Sequence, residues 1–343
     1  MKAVLYYGPQ NIKYEETLIK PLENGEILVK IDSALTCGTD VKTYRRGHPV
    51  LIKKVPSGFG HEFAGTVEKV AEDVTKFKAG DRVVAANSAP CGECFFCKRE
   101  EYNLCENLDL LNGAYAQYIV IPARIVEKNT LIVPDDLSLE KAAFCEPLAN
   151  VVHGAARTEI KPGQTVGIIG IGPIGLMFAR VAKLMGARVI AAGRNPIKLK
   201  LADEFAHVDE VVDLIKYPNP EKIFKNFSEE GRGLDVVVEC VGLPEIWERA
   251  FSCVRPGGTV HFFGGCKSGS TVTFDTTKMH YGDIKLMSVF HHTPKYFREA
   301  LDLISSGKIE VEKLITDTLP LEKVEYAMEQ HIAGKAIKFL IKP

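Results

Sequence analysis

The stretch Thr165-Val166-Gly167-Ile168-Ile169-Gly170-Ile171-Gly172-Pro173-Ile174-Gly175 decides how this chain folds. Its first five residues form a short apolar run bounded by glycine, which reads as a buried strand. Gly170, Gly172 and Gly175 then spell G-x-G-x-x-G, with Pro173 and Ile174 inside the turn, and a helix is expected over residues 176–185. A second strand follows over 187–192. Strand, glycine turn, helix, strand is the context that makes this motif a dinucleotide-binding fingerprint. The first two glycines permit a tight turn and close approach of a pyrophosphate to the backbone. The third lets the helix pack closely on the strand, and the helix N-terminus faces the phosphates. Strands expected over 234–240, 259–263 and 284–290 extend this into a doubly wound parallel sheet over residues 151–289.

The end of the second strand bears on which dinucleotide is bound. An NAD site places a carboxylate there, against the ribose hydroxyls. This chain has Ala192-Gly193-Arg194-Asn195, with Lys198 one helical turn on. Gly193 leaves room for a 2′-phosphate, and Arg194 can grip it through a charge-assisted fork, with Lys198 as a weaker helper. NADP is therefore favoured over NAD. A second reading has Arg194 stacking on adenine and the protein accepting either cofactor.

Working outward toward the N-terminus, residues 1–150 change character. Short β-rich runs at 27–31, 63–70, 82–85 and 115–122 lie between Gly, Pro and Asp turns, and little is helical apart from 38–45. A compact, mostly antiparallel β domain is expected, carrying an inserted lobe. That lobe holds Cys91, Cys94, Cys97 and Cys105 in the pattern C-x2-C-x2-C-x7-C. Four thiolates this close suit a closed tetrahedral structural zinc site. The total of nine cysteines is odd and the other five are scattered singly, which argues against a disulfide framework.

A second metal site is expected from a mixed set. Cys37 follows a strand, His61 and Glu62 follow the glycine-rich Ser57-Gly58-Phe59-Gly60, and Glu146 lies in Phe144-Cys145-Glu146-Pro147-Leu148. One thiolate, one imidazole and one or two carboxylates can bind zinc and leave a position open for water or an alcohol oxygen. Taken singly these residues read as ordinary core side chains; the lobe and the fingerprint together favour the metal reading. Residues 290–343 supply helices over 296–305 and 321–332 and a strand over 336–341, and return to complete the first domain. His291-His292 is not read as a metal site, because neighbours on a strand point to opposite faces.

The totals exclude several classes of function. With 343 residues, 46% of them hydrophobic and 25% charged, the chain can bury two cores. A formal net charge of −1 argues against nucleic acid or acidic membranes as partners. No apolar run reaches the length of a membrane span, and the N-terminal run reads as a strand rather than a leader. A cytoplasmic protein is expected.

These residues resemble the zinc-containing medium-chain dehydrogenase family over nearly the whole chain. The resemblance is carried by Gly60-His61-Glu62-Phe63-Ala64-Gly65, by Lys78-Ala79-Gly80-Asp81-Arg82-Val83, by the cysteine lobe and by the dinucleotide fingerprint. Glu146-Pro147-Leu148 is similar to the polyol (sorbitol-type) and threonine dehydrogenase branch, where liver-type enzymes carry a cysteine ligand. The resemblance implies a GroES-like catalytic domain beside a Rossmann domain. It implies catalytic zinc on Cys37 and His61, with Glu62 and Glu146 as direct or water-mediated ligands. Thr39 matches the hydroxyl residue that passes on the substrate proton, whereas Lys42 stands where the family often has a relay histidine. The implied activity is interconversion of a small secondary alcohol, such as a polyol, and its ketone with NAD(P). L-Threonine or a simple alcohol is the alternative substrate, and the implied assembly is a homotetramer or homodimer.

Overall fold

A computed structural model describes residues 1–48 and 51–343, and the chain divides into two units, Met1–Ala149 with His292–Pro343, and Asn150–His291. The second unit is the simpler. Its six strands are all parallel, in the spatial order Glu210–Asp213, Arg188–Gly193, Thr165–Ile169, Leu234–Glu239, Val254–Phe262, Lys285–Met287. In chain order that is 3-2-1-4-5-6, the doubly wound arrangement whose ligands bind beyond the carboxyl ends of the strands, where the order reverses. Ile169, Ile190, Val237, Phe224 and Phe251 are among the apolar residues of its core. The last strand is shorter than the sequence suggests and stops at Met287. His291 has a left-handed backbone, φ 62°. His291 and His292 therefore lie beyond the strand and do not alternate across its two faces.

The first unit is built on a seven-stranded sheet in which Ile27–Leu35 is central, pairing antiparallel with Glu62–Val70, Tyr118–Ile121 and Lys338–Lys342. The pair Ile315–Pro320 and Lys338–Lys342 is parallel, an exception to the expected antiparallel pattern. A smaller sheet of Lys2–Gly8, Asn11–Glu16 and Ser57–Gly58 joins it, and the core runs through Val29, Phe59, Phe63, Val83, Tyr115 and Phe339.

Two expectations for this unit are corrected. Helix is more abundant than the β-rich pattern implied: besides Gly38–Arg46 there are Ala123–Asn129, Leu139–Ala142 and the start of Cys145–Thr158. Pro147 hid the last of these, but a proline in the first turn breaks no intrahelical bond. The strand expected over 115–122 pairs with its neighbour from Tyr118 onward. Upstream, the backbone turns to other partners: Tyr115 N–H donates to Phe59 O and Gln117 N–H to Lys2 O. No helix of the described residues is long and apolar enough to cross a membrane.

Candidate metal and dinucleotide sites

Sheet register brings the mixed donor set together. Leu35 pairs with Glu62 on one side and with Leu340 on the other. The end of the central strand, the start of Glu62–Val70 and the start of the final strand thus meet at one edge. Cys37 lies two residues past that edge, His61 one residue before it, and Lys338 opens the final strand. The ligating atoms of Cys37, His61 and Glu62 all lie within 4.8 Å of one another.

Each donor is held in place from behind. Cys37 caps the helix Gly38–Arg46, its Sγ accepting from Thr39 N–H at 3.4 Å, while Asp40 Oδ2 accepts from Cys37 N–H at 3.1 Å. This pair is a capping box with a cysteine in the usual serine role. The other Asp40 oxygen, Oδ1, sits 3.0 Å from His61 Nδ1, which leaves Nε2 as the nitrogen free for a metal. Burial alone would push the His61 imidazole down, but the negative charges of Asp40 and Cys37 hold it well above its usual range. Metal binding here would therefore release a proton. Glu62 is fully buried: Lys338 binds its Oε2, while Oε1 has no hydrogen-bond partner among the described residues. An orphaned carboxylate oxygen beside a thiol and an imidazole fits a divalent cation. Lys338 also donates to Thr36 O at 2.8 Å, and Thr36 Oγ1 accepts from Phe339 N–H at 2.8 Å. Thr39, half-buried, makes no side-chain hydrogen bond to the described residues.

Glu146 is buried too, but it does not belong to that group of three. Its Oε1 lies 3.8 Å from His292 Nε2, which in turn is 3.1 Å from Asn87 Oδ1. The thiol of the neighbouring Cys145 is turned to another partner. It donates to Phe297 O at 3.1 Å, and burial first, then the Glu146 charge, holds it protonated. Asp40, Lys338 and His292 carry no sequence signal of their own, being an ordinary cap, a strand lysine and one of a histidine pair.

The four lobe cysteines are also within 4.8 Å of one another. Cys91 Sγ and Cys97 Sγ are 3.8 Å apart, and Cys94 Sγ and Cys105 Sγ 4.0 Å. Zinc–sulfur bonds of about 2.3 Å in a tetrahedron require sulfurs roughly 3.8 Å apart. Backbone N–H groups of Cys97 and Glu106 pull the Cys94 thiol down to about 6, whereas burial pushes Cys97 up to about 12. Four thiolates cannot coexist here without a cation.

At the fingerprint, a Cβ on Gly175 would fall 1.9 Å from Gly170 O, so packing demands that glycine. A Cβ on Gly172 would meet no protein atom within 4 Å. Nothing in the fold needs glycine there, whereas a pyrophosphate approaching the N-terminus of the helix Pro173–Leu184 does. At Gly193 a Cβ would also come within 2.2 Å of Ile171 Cγ1, so packing against that side chain favours the glycine alongside any room it leaves for a phosphate. Arg194 is exposed and Lys198 half-buried, and neither has an acidic partner within ion-pair distance among the described residues. Burial holds the Lys198 ammonium below its usual pKa, a tension that a phosphate would relieve.

A β-rich unit with a mixed Cys/His/Glu donor set and a four-sulfur lobe, together with a Rossmann unit, defines a zinc- and nicotinamide-dependent oxidoreductase. The profile of the alcohol dehydrogenase GroES-like domain matches residues 23–135, and that of the zinc-binding dehydrogenase residues 173–306. A sorbitol dehydrogenase of Bacillus subtilis is 31% identical over 100% of this chain and 97% of its own length. A D-xylulose reductase A of Aspergillus oryzae is 31% identical over 97% of this chain and 94% of its own. Among solved structures, a Sinorhizobium meliloti 1021 protein bound to NADP superposes with a TM-score of 0.91 at 30% identity, covering 100% of this chain and 99% of the other. The chain belongs to the zinc-containing medium-chain dehydrogenase family.

Proposed function

We propose that this chain interconverts a polyhydroxy secondary alcohol and its ketone, with NADP favoured over NAD as the hydride acceptor. The unit Met1–Ala149 with His292–Pro343 is the catalytic one and Asn150–His291 binds the dinucleotide. The observation that carries this reading is the convergence of Cys37, His61 and Glu62, each braced from behind, with an orphaned carboxylate oxygen among them. Cys37, His61 and Glu62 would hold a zinc, and Glu146, outside that group of three, would reach it only through water. Zinc in that position supplies a Lewis acid that lowers the pKa of a bound hydroxyl. The free hydroxyl of Thr39 would act as a relay, taking the substrate's hydroxyl proton while passing its own onward. Lys42, exposed on the same helix, stands in place of a relay histidine, so a water or the cofactor ribose would take the proton onward. The similarity to sorbitol and D-xylulose oxidoreductases supports a polyol substrate.

Arg194 and Lys198 support NADP, as unpaired cations at the end of the second Rossmann strand. A panel of polyols, threonine and simple alcohols, and of the matching ketones, assayed with both dinucleotides tests the substrate class. Turnover confined to threonine or ethanol would overturn the polyol reading. Arg194→Ala should raise the KM for NADP roughly tenfold or more, since a charge-assisted phosphate contact is worth about 1.5–3 kcal/mol, and leave that for NAD nearly unchanged. Equal effects on the two would overturn the NADP preference. Assembly as a homotetramer or homodimer is proposed from the family resemblance, and light scattering on the purified chain tests it.

A further inference from the structure

Tyr115 stands one residue outside the braces already described. Its backbone is clamped, with N–H donating to Phe59 O at 2.9 Å and its carbonyl accepting from Val4 N–H at 2.8 Å. The side chain is fully buried. Its ring meets Phe59 edge-on, with centroids 5.5 Å apart. Gly60 lies so close against the ring that a Cβ there would come within 2.8 Å of Tyr115 Cδ2, and Gly60 itself has φ +85°. The ring thus shapes the backbone one residue before His61. The hydroxyl is 2.5 Å from Asp40 Oδ2 and 3.2 Å from Leu35 O. It has a single proton, and the shorter contact to the charged oxygen takes it.

Asp40 is therefore the hub of a converging set: Oδ2 receives Tyr115 O–H and Cys37 N–H, and Oδ1 faces His61 Nδ1. Two of the three metal-ligand residues are oriented through one carboxylate, and that carboxylate is pinned by one phenol. We propose that Tyr115 is a positioning residue for the catalytic metal, acting through Asp40 on the orientation of His61 and the cap at Cys37. The inference rests on the reading that Cys37, His61 and Glu62 hold zinc. Groups behind a metal-bound histidine are worth about 10–100-fold in metal affinity, and one step further out the lower end of that range is expected.

The test starts from full-length, zinc-loaded protein and follows zinc transfer to a chromophoric chelator. Cys37→Ser, which retains the lobe alone, identifies the pool released from the four cysteines. Tyr115→Phe keeps the ring against Gly60 and deletes the hydroxyl. It should weaken the catalytic-site zinc about tenfold and leave the lobe pool unchanged. Cobalt in place of zinc should show an altered visible d–d spectrum in Tyr115→Phe. In the Asp40→Asn background, adding Tyr115→Phe should cost little more, because both act on one path. Unchanged catalytic-site affinity, equal weakening of both zinc pools, or full additivity with Asp40→Asn would each overturn the proposal. Parental protein that holds zinc in the lobe alone would overturn the preceding functional reading instead, and that is seen before any variant is made.

Discussion

The two metal-type clusters of the first unit are made in opposite ways. The lobe takes all four donors from residues 91–105, uses sulfur alone, and holds it with local backbone groups, such as Cys91 N–H on Cys105 Sγ at 3.2 Å and Glu93 N–H on Cys91 Sγ at 3.5 Å. The mixed site takes a thiol, an imidazole and a carboxylate from two strand ends. It is braced by the side chains of Asp40 and Lys338, the latter 276 residues from Glu62. A site of the first kind is saturated and local, so it can tie a loop and offers no position to a substrate. A site of the second kind depends on sheet register and keeps chemical variety among its donors. With three donors instead of four, it lets a metal bind and still take another ligand.

Breaking each cluster should therefore produce different losses. Cys37→Ala should lower turnover by roughly 10³-fold or more, since Lewis-acid assistance is worth several kcal/mol of barrier. It should remove about one of two bound zincs and leave dinucleotide affinity intact, as measured by titration of NADPH fluorescence. Turnover at the parental rate in metal-loaded Cys37→Ala would sink the functional assignment. Cys97→Ala should do the reverse. Its melting temperature should fall by on the order of 5–10 °C, while the part that remains folded keeps measurable turnover. A melt matching the parent would show that the lobe does not stabilise the protein.

The same contrast explains what could be read from the sequence. The lobe was legible because its information is spacing, and the dinucleotide fold because strand, turn and helix lie side by side in the chain. Cys37, His61 and Glu62 could be nominated from residue chemistry, but their meeting depends on the register that sets Leu35 opposite both Glu62 and Leu340. No local pattern announces that register. Asp40 and Lys338 were invisible for the same reason, and Pro147 concealed a helix start that tertiary packing settles. Gly193 is a mixed case: the room it leaves for a phosphate could be read from the sequence, but its packing against Ile171 could not.

Two buried histidines carry the contrast down to a single residue type. His61 is buried but faces the carboxylate of Asp40, which favours its charged form, whereas His261 in the other unit faces only a hydroxyl. Thr158 Oγ1 donates to Gly154 O at 2.7 Å, so it must accept from His261 Nδ1–H, 2.6 Å away. Nε2 has no hydrogen-bond partner among the described residues, and the rings of Phe178 and Phe263 flank the imidazole. Burial, with smaller contributions from His153 and Arg157, lowers its pKa to about 4 from an ordinary 6.5. Above pH 6.5 the folded and unfolded forms are both neutral at this position. Between 6.5 and 4 the unfolded chain binds a proton that the folded one refuses, so stability falls as pH falls, by up to about 3 kcal/mol. Trp247 is the single tryptophan and lies in the same unit, with Nε1–H on Gly264 O at 3.0 Å, so its fluorescence reports unfolding there. Urea titrations at pH 7.5 and 4.5 should show His261→Gln losing less stability on acidification than the parent. Equal losses would mean that His261 takes up its proton in the folded state, and that burial without a charged partner does not separate it from His61.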